Sequence, residues 1–424
     1  MHDVRELIEL GPEAVRRLAR RRHRLDLEAL GALHRRRVEA LETVDRLRGE
    51  LKRSSRGPQP TEAAREESRR LRDQVQESEA VLRTVEQELE ETLMGIPNLP
   101  LDAVPDGDSE KQAVEVRKGG PPLRPAAGQA RHHADLGESL GVLDAGRAAA
   151  LSGARFSVSR GAGARLERAL ASFLLDLHTR EHGYTEYSVP HLVNRETMTG
   201  TGQLPKFQED LFATSVGGRE LFLIPTAEVP LTNLVARELL EDRDLPLAMT
   251  ARTPCYRAEA GSYGRDTRGV LRLHQFEKVE LVRICAQEEA QQQLELMVGQ
   301  VEECLRRLEL SYRVVLLPAG DMGFSARMTY DIEVWLPGSD SYREISSVSD
   351  CGGFQARRAG IRHRTAEGRK LPAATLNGSA LPIGRTVAAL LEQGVQPDGS
   401  VLLPEALVPY TGFRRILPGG AVES

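Results

Sequence analysis

Cysteine is scarce in this chain. There are four in 424 residues, Cys255, Cys285, Cys304 and Cys351, and they show no paired spacing, so they fit neither a disulfide framework nor a zinc site. No apolar run reaches membrane-spanning length, and the opening Met1-His-Asp-Val-Arg-Glu6 has no apolar signal core. A reduced, cytoplasmic protein with no membrane partner is expected. An excess of positive charge is also missing: 57 Lys and Arg face 62 Asp and Glu, a net charge of −5, which argues against a generally cationic nucleic-acid binder. Walker loop, Rossmann fingerprint and nucleophilic triad are absent. Any catalysis would therefore rest on positioning and electrostatics, without a covalent enzyme intermediate.

What is present points to two or three domains, with 40% apolar residues to build a core. Charge is unevenly spread, since residues 1–57 hold fifteen Lys/Arg against ten Asp/Glu. Residues 1–25 read as a short helix bearing Arg16, Arg17, Arg20, Arg21, Arg22 and Arg24. A long helix follows from Leu27 to about Lys52, with Leu30, Leu33, Arg37, Leu41, Val44, Leu47 and Leu51 at steps of three and four. Ser54 to Pro60 breaks it. A second long helix runs from Thr61 to about Leu93, with a heptad seam of Leu71, Val75, Ser78, Leu82, Val85, Leu89 and Thr92. So short a break makes the two helices antiparallel, a hairpin arm about 40 Å long at about 1.5 Å per residue. The expected division is an arm over 1–100, a Gly-, Pro- and charge-rich linker over 101–135, and a mixed α+β domain over 136–424. Within that domain, 163–182 reads as an amphipathic helix followed by a strand-like stretch to Pro190. A long helix is expected over 286–310, strands over 334–336 and 343–347, and a helix over 387–393.

The most informative stretch is Thr253-Pro-Cys-Tyr-Arg257-Ala-Glu259, a Gly/Ser-rich turn from 260 to 269, and Val270-Leu-Arg272-Leu-His-Gln-Phe276-Glu-Lys-Val-Glu280. Two β-prone runs flanking a glycine-rich loop predict a long-looped antiparallel hairpin. Alternation would put Arg257 and Glu259 on one face of the first strand, and Arg272, His274, Phe276 and Glu280 on one face of the second. Two arginines, two acids and an aromatic ring would then share one surface. Arginine forks suit phosphate or carboxylate, and a ring beside them suits stacking on a base.

This arrangement resembles motif 2 of the class II aminoacyl-tRNA synthetases in its seryl form. Gly200-Thr-Gly-Gln-Leu-Pro-Lys206-Phe, Pro225-Thr226-Ala-Glu228-Val-Pro-Leu-Thr-Asn233 and Leu376-Asn377-Gly-Ser379-Ala-Leu-Pro-Ile-Gly384-Arg385-Thr386 are similar to the same family. The resemblance spans residues 1 to about 413. It implies an antiparallel sheet flanked by helices, preceded by a two-helix coiled-coil arm, with residues 163–190 as motif 1 in a homodimer interface. The implied activity is serine–tRNA ligation: L-serine and ATP give seryl-adenylate, and serine passes to the 3′ end of tRNA(Ser), in the family also tRNA(Sec). By resemblance, Arg257 holds the serine carboxylate and the α-phosphate, Glu259 the adenine amino group, and Arg272 the γ-phosphate. Phe276 and Arg385 sandwich the adenine, and Glu344 and Ser347 hold Mg2+, one carboxylate plus substrate phosphates being a usual magnesium arrangement. Thr226, Glu228, Glu280, Asn377 and Ser379 match serine-pocket positions, with Glu228 for the ammonium and Glu280 for the hydroxyl. The arm is implied to grip the tRNA.

Some residues depart from the family's usual pattern: Ala258, Val348, Asp350, Gly352, Gly353 and Pro382. They suggest a divergent or specialised second copy, with Asp350 adding negative charge near the metal strand and the two glycines loosening the loop beyond. A second reading sends the seryl product into a biosynthetic pathway. A third is a degenerate paralogue that only binds tRNA, against which intact Arg257, Glu259, Arg272, Glu344 and Arg385 argue.

Overall fold

The computed structural model describes residues 1–54, 62–123, 131–260 and 268–424. The helix break expected at 55–60, the middle of the glycine-rich turn (261–267) and part of the expected linker (124–130) lie outside the described residues. The chain divides into two compact units, Met1–Leu99 and Pro100–Ser424.

The first unit is helical. Residues 1–25 form two short helices, Val4–Leu10 and Pro12–Ala19, in place of the one expected. Gly11 sits at φ +54°, where it ends the first helix, and Pro12 starts the second at a position that needs no backbone N–H. Two long helices follow, α1 (Leu27–Ser54) and α2 (Glu62–Met94). They run antiparallel: Arg36 pairs with Glu88, Arg37 with Glu86 and Arg48 with Glu79, so partner numbers fall as α1 advances. These pairs are exposed and each contributes at most about 1 kcal/mol. Burial holds the hairpin, through Leu30, Val44 and Leu47 against Leu71, Val85 and Leu89. Two expected seam positions face water instead: Leu41 is exposed, and at the end of α2 Leu93 is buried in place of Thr92.

The second unit is built on an eight-stranded sheet. Its strands in chain order are β1 (Val114–Gly119), β2 (Thr185–Glu186), β3 (Leu247–Tyr256), β4 (Gln275–Cys285), β5 (Tyr312–Leu316), β6 (Met328–Leu336), β7 (Ser341–Gly352) and β8 (Ala374–Pro382). Their spatial order is β1-β5-β6-β7-β8-β4-β3-β2, antiparallel throughout except for the β2–β3 edge. Residues 114–119, read from sequence as linker, are thus an edge strand, and of the stretch 183–190 only Thr185–Glu186 pairs.

Alternation along β4 sorts two faces. Val279 and Leu281 join the main core with helices α3 (Ala162–Arg180), α4 (Ala290–Arg307) and α5 (Ile383–Gly394). Phe276, Lys278 and Glu280 point the other way, towards the candidate site. Farther along, Val282 and Ile284 pack in a second cluster with Ala227, Leu231 and Ala356. Among the described residues no helix is long and apolar enough to cross a membrane.

Candidate active site

The hairpin strands stop short of the residues that matter most. β3 ends at Tyr256 and β4 begins at Gln275, so Arg257, Glu259, Arg272 and His274 lie beyond paired strand. Glu259 has φ +53°. Strand alternation therefore does not place these four. The loop does: Arg257 N–H donates to the His274 carbonyl at 2.9 Å, and His274 N–H to that of Arg155 at 2.9 Å. Arg257 Nε donates to the Pro225 carbonyl at 3.2 Å, and its guanidinium stands 5.2 Å over the Phe276 ring. Arg272 and Glu259 form an ion pair.

Two neighbouring cavities share this wall. The first, about 650 Å3, is lined by Thr226, Glu228, Asn377, Cys351, Phe324 and Ser349 among others. The second is lined by Phe276, Lys278, Glu344, Ser379, Pro382 and Arg385. Arg257, Glu259 and Arg272 line both. A third, about 680 Å3, adjoins the second through Arg272, Glu344 and Arg385, and adds Ser347, Asp331 and Glu333.

Glu228 opens the helix Glu228–Asn233. Its Oε1 accepts from Gln355 Nε2 at 2.6 Å and Asn377 Nδ2 at 3.0 Å. Burial, then the charge of Glu280, pushes its carboxyl up to about 7, against the opposing pull of Gln355, Lys278 and Arg257. Cys351 shares this cavity, and burial, then Glu228 and Asp350, pushes its thiol well up from the ordinary range. Glu280 is not on the cavity wall. It is buried and ion-paired to Lys278, whose Nζ donates to Thr226 Oγ1 at 2.9 Å. Ser379 lies opposite Glu280 in the sheet and lines the second cavity rather than the first.

Arg385, in the first turn of α5, donates from Nε to the Leu271 carbonyl at 3.0 Å and from Nη1 to that of Glu344 at 2.8 Å. Its guanidinium lies 3.3 Å from the Glu344 carboxylate. Asp331 lies opposite Ser347 across β6 and β7. Burial, then the nearby Glu344, raises the Asp331 carboxyl well above its ordinary range. Crowding by the surrounding protein would raise Glu344 too, although its side chain is 49% exposed, but Arg385, Arg257 and Lys278 outweigh it and hold that carboxyl low. Asp331 Oδ1 is buried with no hydrogen-bond partner among the described residues. Two carboxylates and a hydroxyl, with one acceptor unsatisfied, form an all-oxygen donor set suited to a hard divalent cation.

Sequence reasoning missed Lys278, Gln355 and Asp331. Lys278 was legible, midway between Phe276 and Glu280 at strand spacing. So was Asp331, since Asp331 and Glu333 alternate with the buried Tyr330, Ile332 and Val334. Gln355 carries no local signal.

The departures have local partners. Asp350 is buried and ion-paired to Arg327 at 2.8 Å, and its other oxygen accepts from Gly352 N–H at 2.7 Å. It therefore adds no uncompensated charge to β7. Gly352 has φ +49°, and a Cβ there would meet the Arg327 guanidinium at 2.9 Å. It closes β7 against that side chain rather than loosening a loop. Val348 packs over Gly378, where a Cβ would lie 3.0 Å from the valine methyl. Pro382 ends β8 as the residue before α5.

Comparison with known proteins agrees with this geometry. Residues 1–100 match the seryl-tRNA synthetase N-terminal domain, and residues 212–394 match the tRNA synthetase class II core domain (G, H, P, S and T). Serine–tRNA ligase 2 of Streptomyces avermitilis is 75% identical over 99% of this chain and 100% of its own length. The serine–tRNA ligase of Desulforapulum autotrophicum is 49% identical over 98% and 97% respectively. The crystal structure of seryl-tRNA synthetase from Pyrococcus horikoshii complexed with ATP superposes with a TM-score of 0.88 at 33% identity, covering 99% of this chain and 100% of that one. An arm, a class II sheet and relatives matched from end to end leave one assignment: the chain belongs to the seryl-tRNA synthetase family.

Proposed function

We propose that the first cavity binds L-serine, the second binds the adenine and α-phosphate end of ATP, and Arg257 joins them. The observation that carries this is Arg257's place on both walls. Activation requires a carboxylate to attack a phosphate, two anions that repel until positive charge lies between them. A guanidinium fork fixed by Pro225 and Phe276 supplies that charge where it is needed. The carboxylate oxygen attacks the α-phosphorus, diphosphate leaves, and seryl-adenylate forms. Serine then passes to the 3′-hydroxyl of the terminal adenosine of tRNA(Ser), and AMP is released.

Glu228 receives the serine ammonium, and Thr226 and Asn377 complete the polar wall. Glu280 accepts from the serine hydroxyl with Ser379 helping, and Lys278, paired to Glu280, fixes Thr226 beside it. Phe276 and Arg385 hold the adenine between them, Glu259 accepts from its amino group, and Arg272 takes the γ-phosphate. Glu259 and Arg272 hold each other here, so ATP would exchange that pair for two new ones. Glu344, Ser347 and Asp331 would hold Mg2+, which supplies charge neutralisation for the phosphates.

The arginine-bearing first hundred residues would grip tRNA through its phosphates and shape rather than its base edges. A homodimer would place the arm of one subunit near the acceptor end seated in the other. Four buried thiols suit a reducing cytoplasm. The relative named serine–tRNA ligase 2 is consistent with a divergent second copy.

The test is serine-dependent exchange of pyrophosphate into ATP, with alanine, cysteine and threonine as controls. Serine should exceed alanine by roughly ten-thousand-fold, because a pocket built for a hydroxyl rejects its absence. Threonine is the harder competitor, its extra methyl costing about 1–3 kcal/mol. Equal activation of alanine would overturn the pocket assignment.

A further inference from the structure

Outside the residues assigned so far lies a cluster of His132, His133 and Glu392, with ligand atoms within 4.8 Å of one another. It resembles a metal site, but His133 has already committed both ring nitrogens. Its Nδ1 is 2.7 Å from Glu392 Oε1, and its Nε2 is 3.2 Å from the Val270 nitrogen. A backbone N–H can only donate, so Nε2 is the acceptor. The ring proton is then on Nδ1 and is given to Glu392. Glu392 is used up as well: Oε1 also accepts from His133 N–H at 2.9 Å, and Oε2 from Gly338 N–H at 2.7 Å. His133 is fully buried and Glu392 is 3% exposed.

The ring of contacts closes on the nucleotide cavity. Val270 is the residue before Leu271, whose carbonyl accepts from Arg385 Nε. Arg385 and Glu392 lie on the same helix, α5, seven residues or about two turns apart. The segment 269–272 is therefore pinned at two adjacent residues, at the Leu271 carbonyl by Arg385 and at the Val270 N–H by His133, itself held by Glu392. Gly269 shows how close the approach is: at φ +77°, a Cβ there would come to 2.0 Å from His133 Nε2. Arg272, two residues beyond Val270, is carried on this segment.

We infer that His133, oriented by Glu392, is a positioning residue for ATP: it fixes the segment that presents Leu271 and Arg272 against Arg385. This rests on the nucleotide reading of the second cavity given above. Among the described residues the dyad makes no hydrogen bond to Glu228, Thr226 or Asn377, so its effect should fall chiefly on ATP and reach serine only through Arg272, which lines both cavities.

Two substitutions separate the two bonds. His133→Asn keeps an amide N–H near the place of Nδ1, which preserves the bond to Glu392, but offers nothing at the place of Nε2. His133→Gln brings an amide oxygen near the place of Nε2 and preserves the bond to Val270. In pyrophosphate exchange, H133N should raise the KM for ATP about tenfold, the scale of one buried hydrogen bond, with the KM for serine within about twofold. H133Q should recover most of the loss. KM does not depend on the fraction of enzyme folded, so a merely structural role would lower the apparent kcat and leave both KM values alone. An unchanged KM for ATP in H133N, equal rises for both substrates, or no recovery in H133Q would each overturn the proposal. Arg385→Ala is the control. If it leaves the KM for ATP unchanged, the nucleotide reading fails; if it raises that KM and H133N does not, the dyad inference alone fails.

Discussion

Glu228 gives the sharpest quantitative handle on the site. Burial and the neighbouring Glu280 push its carboxyl up to about 7, and an acid with a raised pKa is protonated below that value. Only the carboxylate neutralises the serine ammonium. With a midpoint near 7, about nine-tenths of the enzyme carries the carboxylate at pH 8 and about one-tenth at pH 6. The kcat/KM for serine at saturating ATP should therefore fall about tenfold between those values, since this parameter reports groups on the enzyme before serine binds. The assay is serine-dependent pyrophosphate exchange between about pH 5.5 and 8.5. Glu228→Gln should be weak throughout and flat across the midpoint, which separates Glu228 from any titration of pyrophosphate itself. Glu280→Gln removes the second cause of the shift and leaves the charge of Lys278 uncompensated, so its midpoint should move down. A flat profile in the unmutated enzyme, or the same fall in Glu228→Gln, would refute the assignment of the ammonium to Glu228.

Three further outcomes follow from the structure. Arg257→Ala should lower exchange by at least about a hundred- to a thousand-fold, the scale of removing one group preorganised for developing charge, while the far-ultraviolet circular dichroism stays unchanged; near-normal exchange would remove Arg257 from the mechanism. Deleting residues 27–93 and joining the ends with a short linker should spare pyrophosphate exchange and cripple tRNA charging, and in the intact enzyme added salt should weaken charging far more than exchange; full charging by the deleted enzyme would contradict the arm's role. Asp350→Ala strands the Arg327 guanidinium among buried groups and should cost about 3 kcal/mol in denaturant unfolding, most of it recovered when Arg327 is replaced by Met as well; additive losses in the double variant would show that the two do not act as a pair.

Much of this was legible in the chain, because long motifs with mixed charged and aromatic residues carry specific spacing. The helical arm was readable from its period, and the α+β class from the alternation of elements. What escaped did so for identifiable reasons. Arg257, Glu259 and Arg272 were read on strand faces, but the strands end at Tyr256 and start at Gln275, and Glu259 takes a left-handed backbone that no alternation anticipates. Register shifts at Ile332/Glu333 and at Ser379/Leu381 change which residues share a face. Bulges of this kind depend on the partner strand and leave little trace in a single sequence. Alternation put Glu280 on the face of Phe276 but could not show that its carboxylate is ion-paired to Lys278 on the same strand. Asp350 looked like an added charge because Arg327 is 23 residues away in sequence and adjacent only in the fold.

One consequence concerns Arg257, Glu259 and Arg272, which stand on the walls of two cavities at once. Ligands that share side chains cannot have independent affinities. Whatever factor ATP contributes to the binding of serine, serine must return to the binding of ATP, because the two routes to the ternary complex begin and end in the same states. Titrating either ligand in the presence of the other therefore measures a single coupling constant. A substitution at Arg257 should shrink that coupling to what Glu259 and Arg272 still carry, read from each ligand's affinity with and without the other.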